Sequence, residues 1–377
     1  MDAAGWERII GLRHWLHAHP ELSGRETKTK ETLEQLIASE TGLDVIDQGG
    51  WFACRYEPEQ GSGEPPIAFR ADMDALPIPE TIDLPYGSKH PGVAHKCGHD
   101  GHTAALAAVA LDLEQDKKIC RPVCLVFQSA EETGKGGRAC AEFLADGGVS
   151  EVYAFHNLSG HPEGSILVRD GLTQPASVGL AVWFCGLEAH AGTPENGRNP
   201  AGALARMALA AEEMGHAAGS SRLMLSTIVS IKEGQRDFGI SPGTGEICFT
   251  LRAGDEEDLA WMEQTLKDKA QELGQEGGFA VSFSEEDPFP ATVNDVRCSG
   301  RVRAAAQALG IPLAPLPSPW RPSEDFGWYA KAMPGALFYI GNGEAWPAPH
   351  QPDYDFNDRI LPVAQSIFLK LAEGKAL

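Results

Sequence analysis

The stretch His95-Lys96-Cys97-Gly98-His99-Asp100-Gly101-His102 is the densest run of ligand-type side chains in this sequence. A thiol, three imidazoles and a carboxylate, with glycines for tight backbone geometry, suit a borderline divalent cation such as zinc or manganese. No Cys-x-x-Cys pair accompanies them, which argues against a structural four-ligand zinc site. Glu131-Glu132 adds acid–base chemistry. Of two adjacent carboxylates, one can hold a cation while the other takes a proton from an activated water. Two other chemistries compete. Cys97 could be a nucleophile with a histidine as base, although a nucleophile needs no such surplus of donors. Gly134-Lys135-Gly136-Gly137 suggests a phosphate loop but lacks the Gly-x-x-x-x-Gly-Lys-Ser/Thr frame.

Positioning these residues is a matter of strands. Apolar runs near 67–70, 122–128 and 152–155 alternate with helical spacing, as at 103–113. The same texture returns near the end, helical over 302–309 and strand-like over 336–340. Continuous apolar strands between helices predict an α/β fold with a mostly parallel sheet covered on both faces. Asp72 and Asp74 follow the first strand, Glu131 and Glu132 the second, and His156 the third, while His350 lies a short loop beyond the last. Ligands of open α/β sheets bind at the carboxyl ends of strands, so these residues converge on one crevice.

The middle of the chain differs. Strands are expected at 179–185, 222–231, 245–251 and 279–283, with helices at 200–214 and 255–273. That order, βαββαβ, is the split-βαβ or ferredoxin-like pattern, able to stand as a module of its own. Gly171 to Pro175 and Pro288-Phe289-Pro290 punctuate its ends. The expected division is 1–174 and 289–377 for a catalytic domain, with 175–288 inserted.

Composition sets the limits. The 377 residues carry 53 acidic and 31 basic side chains, a formal charge of −22. Such an excess disfavours nucleic acid and anionic membrane surfaces as partners. No apolar run approaches transmembrane length, and the first residues lack a signal-peptide pattern, so a soluble cytoplasmic protein is expected. Eight scattered cysteines, mostly in apolar runs, predict no disulfide framework.

Taken in order, several motifs resemble the M20 metallopeptidases, in the amidohydrolase branch of aminoacylases, hippurate hydrolases and auxin-conjugate hydrolases. They begin with Leu16-His17-Ala18-His19-Pro20-Glu21-Leu22-Ser23 and Arg70-Ala71-Asp72-Met73-Asp74-Ala75-Leu76-Pro77. His95 to Thr103 and Phe127-Gln128-Ser129-Ala130-Glu131-Glu132 follow. Ser323-Glu324-Asp325-Phe326 and Pro349-His350-Gln351-Pro352-Asp353 complete the set. The resemblance implies a phosphorylase/hydrolase-like catalytic domain whose inserted domain serves as lid and dimerisation module, hence a homodimer. It implies two divalent cations, Mn²⁺ or Zn²⁺ with Co²⁺ or Ni²⁺ also compatible, held by Cys97, His99, Glu132, His156 and His350. Glu131 would be the general base, with Asp74 and Asp100 behind the ligands, orienting their imidazoles. His190 would reach the substrate, and Arg252 is a candidate anchor for a substrate carboxylate. The implied reaction is hydrolysis of N-acyl amino acids or similar conjugates, with a dipeptidase or carboxypeptidase as the alternative. Departures such as Glu188-Ala189 before His190 and Gly239-Ile240-Ser241-Pro242 bear on substrate identity rather than on the metal set.

Overall fold

The computed structural model describes residues 1–116, 118–217 and 223–374. The chain divides into two compact units, one of Met1–Thr173, Thr292–Pro319 and Glu324–Leu377, the other of Gln174–Ala291 and Trp320–Ser323. The first unit opens with α1 (Ala3–Ala18), α2 (Thr27–Glu40), β1 (Asp44–Asp47), β2 (Phe52–Tyr56), β3 (Ile67–Asp72) and α3 (His99–Leu113). It continues through β4 (Val123–Gln128), α4 (Gly137–Asp146), β5 (Glu151–Ser159) and β6 (Ile166–Leu167), with β7 (Gly171–Gln174) at the junction. The second unit holds β8 (Ala176–Cys185), β9 (Ala189–His190), α5 (Ala201–Ala217) and β10 (Met224–Glu233), then β11 (Ile240–Ser241), β12 (Thr244–Ala253), α6 (Glu256–Gly277) and β13 (Ala280–Phe289). The chain returns with β14 (Thr292–Asn294), α7 (Val296–Ala308), α8 (Gly327–Ala332), β15 (Gly335–Gly343) and α9 (Leu361–Ala372).

The seven-stranded sheet of the first unit has the order β1-β2-β4-β3-β5-β15-β6. Its centre, β4-β3-β5-β15, is parallel. The flanks are antiparallel, β1 with β2, β2 with β4, and β6 with β15. The expected mostly parallel sheet is thus corrected to a mixed one. The reason is local: β1 and β2 are joined by a tight turn in which Asp47 Oδ1 accepts from Gly49 N at 2.7 Å, and a turn that short can only pair strands head to tail. Within the parallel centre the chain steps from β3 to β4, then back across β3 to β5. Right-handed crossovers in opposite directions put α3 and α4 on opposite faces. The core is apolar and aromatic: the Phe69 and Phe368 rings lie 4.7 Å apart, tilted by 38°, and Phe368 also meets Phe155 and Phe338. Burying each such ring contributes roughly 1.5–3 kcal/mol. Helix α3 is buried along almost its whole surface. Its alanines 104, 105, 107, 108 and 110 leave room for α1 and α9 to pack closely.

Several expected boundaries moved, three of them with consequences. Helix α3 starts at His99, four residues before the expected start, so His99, Asp100 and His102 belong to its first turn. Strand β5 runs to Ser159, because its pairing with β15 continues that far; His156 therefore lies within the strand rather than after it. In the second unit β13 runs through Pro288 to Phe289, where a break was expected. β13 is an edge strand with a register shift between Glu286 and Phe289, a place where a proline costs no ladder bond.

The second unit has a four-stranded antiparallel sheet in the order β10-β12-β8-β13. Strand β12 alternates strictly, burying Gly245, Ile247, Phe249, Leu251 and Ala253. Helices α5 and α6 pack on this sheet. Helix α6 is capped by Asp255, whose side chain accepts from Asp258 N at 2.8 Å, and carries three acids in its first turn, where the helix dipole favours them. The expected strand over 222–231 is observed as β10, and Arg222 lies outside the described residues. None of the eight cysteines, all among the described residues, is joined in a disulfide. Among the described residues no helix is long and apolar enough to cross a membrane.

Candidate metal centre

Cys97 and His99 flank Gly98, which takes a left-handed φ of 105° as the N-cap of α3. A Cβ there would overlap the side chain of Asn157 and approach the Tyr354 hydroxyl at 2.8 Å, so only glycine fits. Cys97 Sγ lies 3.3 Å from His156 Nε2 on β5. His99 Nε2 lies 3.7 Å from Glu132 Oε1 and 3.9 Å from Glu131 Oε2, and His350 Nε2 is 3.6 Å from Glu132 Oε1. Among the triads whose donor atoms lie within 4.8 Å of one another are Cys97/His99/His156 and Cys97/Glu132/His350. Cys97 belongs to both. His350 is the open side of the cluster, its side chain 52% exposed, while Cys97, His99 and His156 are buried.

The surrounding hydrogen bonds dictate which atoms face inward. His99 Nδ1 sits 2.9 Å from the Asp74 carbonyl and 3.2 Å from Asp74 Oδ1, which assigns the proton to Nδ1 and leaves Nε2 as the lone-pair donor. His156 Nδ1 lies 2.8 Å from the Asn157 carbonyl, with the same consequence. Asp74 Oδ2 accepts from Glu132 N at 2.9 Å and Ser23 Oγ at 2.6 Å, tying one candidate ligand to another through a single carboxylate.

The donors fit a cation. Among the described residues His99 Nε2 and Glu132 Oε1 are buried without a hydrogen-bond partner, although such atoms almost always have one. They face each other at a separation too long for a hydrogen bond. Burial, with Glu132 and Glu131 close by, pushes the Cys97 thiol well above its ordinary value. Burial, with Glu324 and Glu132 near it, drives Glu131 well up as well. Burial opposes charge on His99, yet Asp72 and Asp74 raise it to about 10. Sulfur, imidazole and carboxylate crowded around too little positive charge are the donor set and field of a divalent metal site.

Asp100 departs from its expected place. It does not back a candidate ligand: its Oδ2 lies 2.8 Å from His17 Nδ1, with Arg13 Nη1 at 3.5 Å. One step along a helix rotates a side chain by about 100°, which carries Asp100 away from His99. His190 and Arg252 belong to the second unit. His190 is exposed on β9, its Nδ1 accepting from Gly192 N at 3.0 Å. Arg252, on β12, donates to Ser323 Oγ at 2.6 Å and to the Arg321 carbonyl at 3.2 Å.

The sequence reading assigned no role to the groups behind the cluster. His102 lies between Asp72 Oδ1, at 2.6 Å, and Asn157 Oδ1, at 2.7 Å, while Asn157 Nδ2 donates to the Cys97 carbonyl at 3.2 Å. Arg70, fully buried, donates to Asp72, Gln128 and Asp325 and pairs with Glu324 at 3.1 Å. Part of this was available from spacing. His102 follows His99 by three on a helix, and Arg70 precedes Asp72 by two on a strand, so each pair shares a face. No spacing could link Arg70 to Asp325.

Residues 68–374 match peptidase family M20/M25/M40. The chain is 31% identical to the N-acetylcysteine deacetylase of Bacillus subtilis (strain 168), over 98% of this chain and 97% of that protein. It is 30% identical to the IAA-amino acid hydrolase ILR1-like 5 of Arabidopsis thaliana, over 97% and 86% respectively. Among solved structures it resembles the Bacillus subtilis YXEP protein, described as a dinuclear metal binding peptidase from the M20 family. The TM-score is 0.82 with 26% identity, covering 99% of this chain and 98% of that one.

Proposed function

The chain belongs to peptidase family M20/M25/M40, and from that membership we propose that this metal-dependent amide hydrolase cleaves N-acyl amino acids with Glu131 as general base. One observation carries the reading. Glu131 and Glu132, neighbours in sequence, both bring a carboxylate oxygen within 4 Å of His99 Nε2, at 3.9 and 3.7 Å. One carboxylate is then available to hold a cation while the other moves protons. Relatives named for N-acetylcysteine and for IAA-amino acids support an amide between an acyl group and an amino acid.

In this reading Cys97, His99, Glu132, His156 and His350 would hold two divalent cations. Bound there, the cations supply Lewis-acid polarisation of the scissile carbonyl and make an attacking water more acidic. Glu131 takes the proton from that water at its carboxylate and delivers it to the leaving nitrogen. Asp74 holds the His99 proton on Nδ1, so Nε2 is the atom that would face a cation. For His190 and Arg252 the proposal is substrate contact, read as a rise in KM when either is replaced by alanine. A homodimer through the second unit is proposed too. Val229 and Ile231 are exposed on its edge strand β10, and light scattering decides the point.

The test is release of amino acid from a panel of N-acyl amino acids and dipeptides, with Mn²⁺ or Zn²⁺ and, in parallel, with a chelator. Metal-dependent release from the acylated set is expected. Release from dipeptides alone would move the assignment to a dipeptidase. Glu131→Gln should keep its metal content and lose about 10²–10⁴ in kcat, the usual worth of a general base; unchanged turnover in that variant would sink the role.

A further inference from the structure

Ala130 holds φ at 55°, one of three non-glycine residues with positive φ among the described residues. The left-handed region is disfavoured for any residue with a Cβ, so an alanine stays there only when its surroundings hold it. Both polar groups of Ala130 are held. Its N–H donates to Glu26 Oε1 at 2.7 Å, and its carbonyl accepts from Lys135 N and Gly136 N, each at 3.2 Å. The consequence lies in the next two residues. Continuing β4 as an extended strand would send Glu131 and Glu132 to opposite faces. Instead the chain leaves β4 through the left-handed Ala130 into a turn, and both carboxylates approach His99 Nε2.

Glu26 is built for this contact rather than for its own helix. It occupies the N-cap of α2, yet its side chain makes no capping bond there. Its carboxyl is buried, only 3% of the residue being exposed, and reaches 104 positions along the chain to Ala130. Burial, reinforced by Asp74, raises it to about 7. A buried acid is costly without an ion pair; among the described residues Glu26 has none, and its long-range hydrogen bond is to the residue before the general base.

We propose that Glu26 is a positioning residue for the hydrolysis: by accepting from Ala130 N–H it holds the left-handed backbone that sets Glu131 against the metal-binding cluster. The inference rests on the reading of Glu131 as general base. Misplacing a reacting group by an ångström can cost about a hundredfold, so Glu26→Ala should lose roughly 10- to 100-fold in kcat with KM within about threefold. Its metal content should stay that of the wild type. Glu26→Gln keeps an acceptor oxygen and should stay within about fivefold of wild type. Ala130→Gly should be near wild type by itself and, in the Glu26→Ala background, restore most of the lost turnover, because glycine takes positive φ without a tether. Loss without rescue in a folded protein, or loss confined to KM, overturns the proposal. Crystal structures of Glu26→Ala and of the double variant read the same point without activity. Residue 130 should leave φ near 55° in the first and regain it in the second; an unmoved Ala130 in Glu26→Ala overturns the inference. Should wild-type protein cleave nothing in the panel, the functional reading fails, while the crystal structures still decide the role of Glu26.

Discussion

Asp74 shows how much one side chain carries at this site. Through its carbonyl and carboxylate it engages His99 Nδ1, Glu132 N and Ser23 Oγ at once, so two candidate ligands share one support. Carboxylates behind metal-bound imidazoles typically govern affinity by 10- to 100-fold. Asp74→Ala is therefore expected to weaken metal binding by about that factor, measured by competition with a chromophoric chelator, with the metal-free melt confirming that the variant folds. The sequence showed Asp74 as a strand-end acid, and the resemblance gave it this role. Its bond to Glu132 N was hidden, because a carboxylate on one loop and an amide on another meet only when β3 and β4 lie side by side. Asp100 is the counter-example. It stands next to His99, yet helical rotation turned it toward His17 and Arg13. At this scale residue type predicts chemistry well and direction poorly.

Elements set those directions. Helix α1 brings Arg13 and His17 under the loop that ends at Cys97. His17 Nδ1 lies 2.8 Å from Asp100 Oδ2 and Nε2 2.8 Å from Glu80 Oε1, which also takes Lys96 Nζ at 2.5 Å. Burial opposes charge on His17, but these hydrogen bonds outweigh it and raise its pKa from 6.5 to about 9. A pKa raised on folding gives stability that is complete below the unfolded value and is lost as pH rises through the folded one. Glu80, lowered to about 2, contributes its share above its unfolded value of 4.5. Stability from this network is therefore greatest near pH 5–6.5. Urea melts should show His17→Asn losing most against wild type near pH 6, with the gap shrinking by about 3 kcal/mol toward pH 10. A gap that does not change with pH would mean that His17 is uncharged. The glycine-rich turn before α4 makes a second element-scale case. A Cβ on Gly136 would collide with the Ser129 carbonyl, so no side chain fits under the segment that carries Glu131. Gly136→Ala should cost about 1–3 kcal/mol by overpacking and reduce turnover as well, seen by melting and rate together. The sequence offered this stretch as a discounted phosphate loop; its actual service, close packing beneath Ser129 and Ala130, depends on contacts that composition does not encode.

For the whole molecule, the metal question becomes one of stability. Anything that binds the folded state alone stabilises it by mass action, about 2.7 kcal/mol at a hundred times Kd. For a unit this large that is a rise in Tm of roughly 5–10 °C. Stripping the protein with a chelator should lower its melting temperature by that order, and Mn²⁺ or Zn²⁺ should restore it; no shift with either ion would argue against the centre. The chemical vocabulary was legible from residue order: a cysteine–histidine run, paired glutamates after a buried strand, acids at strand ends, and the two-part texture of the chain. These are local, since residue types and apolar periodicity follow from neighbours a few positions away. The rest is non-local and came with folding: the antiparallel flanks of the sheet, Arg70 held among Asp72, Glu324 and Asp325, and Glu26 on Ala130. Those contacts join residues up to 255 positions apart, and a buried charge or strained backbone is tolerable only where distant partners converge on it.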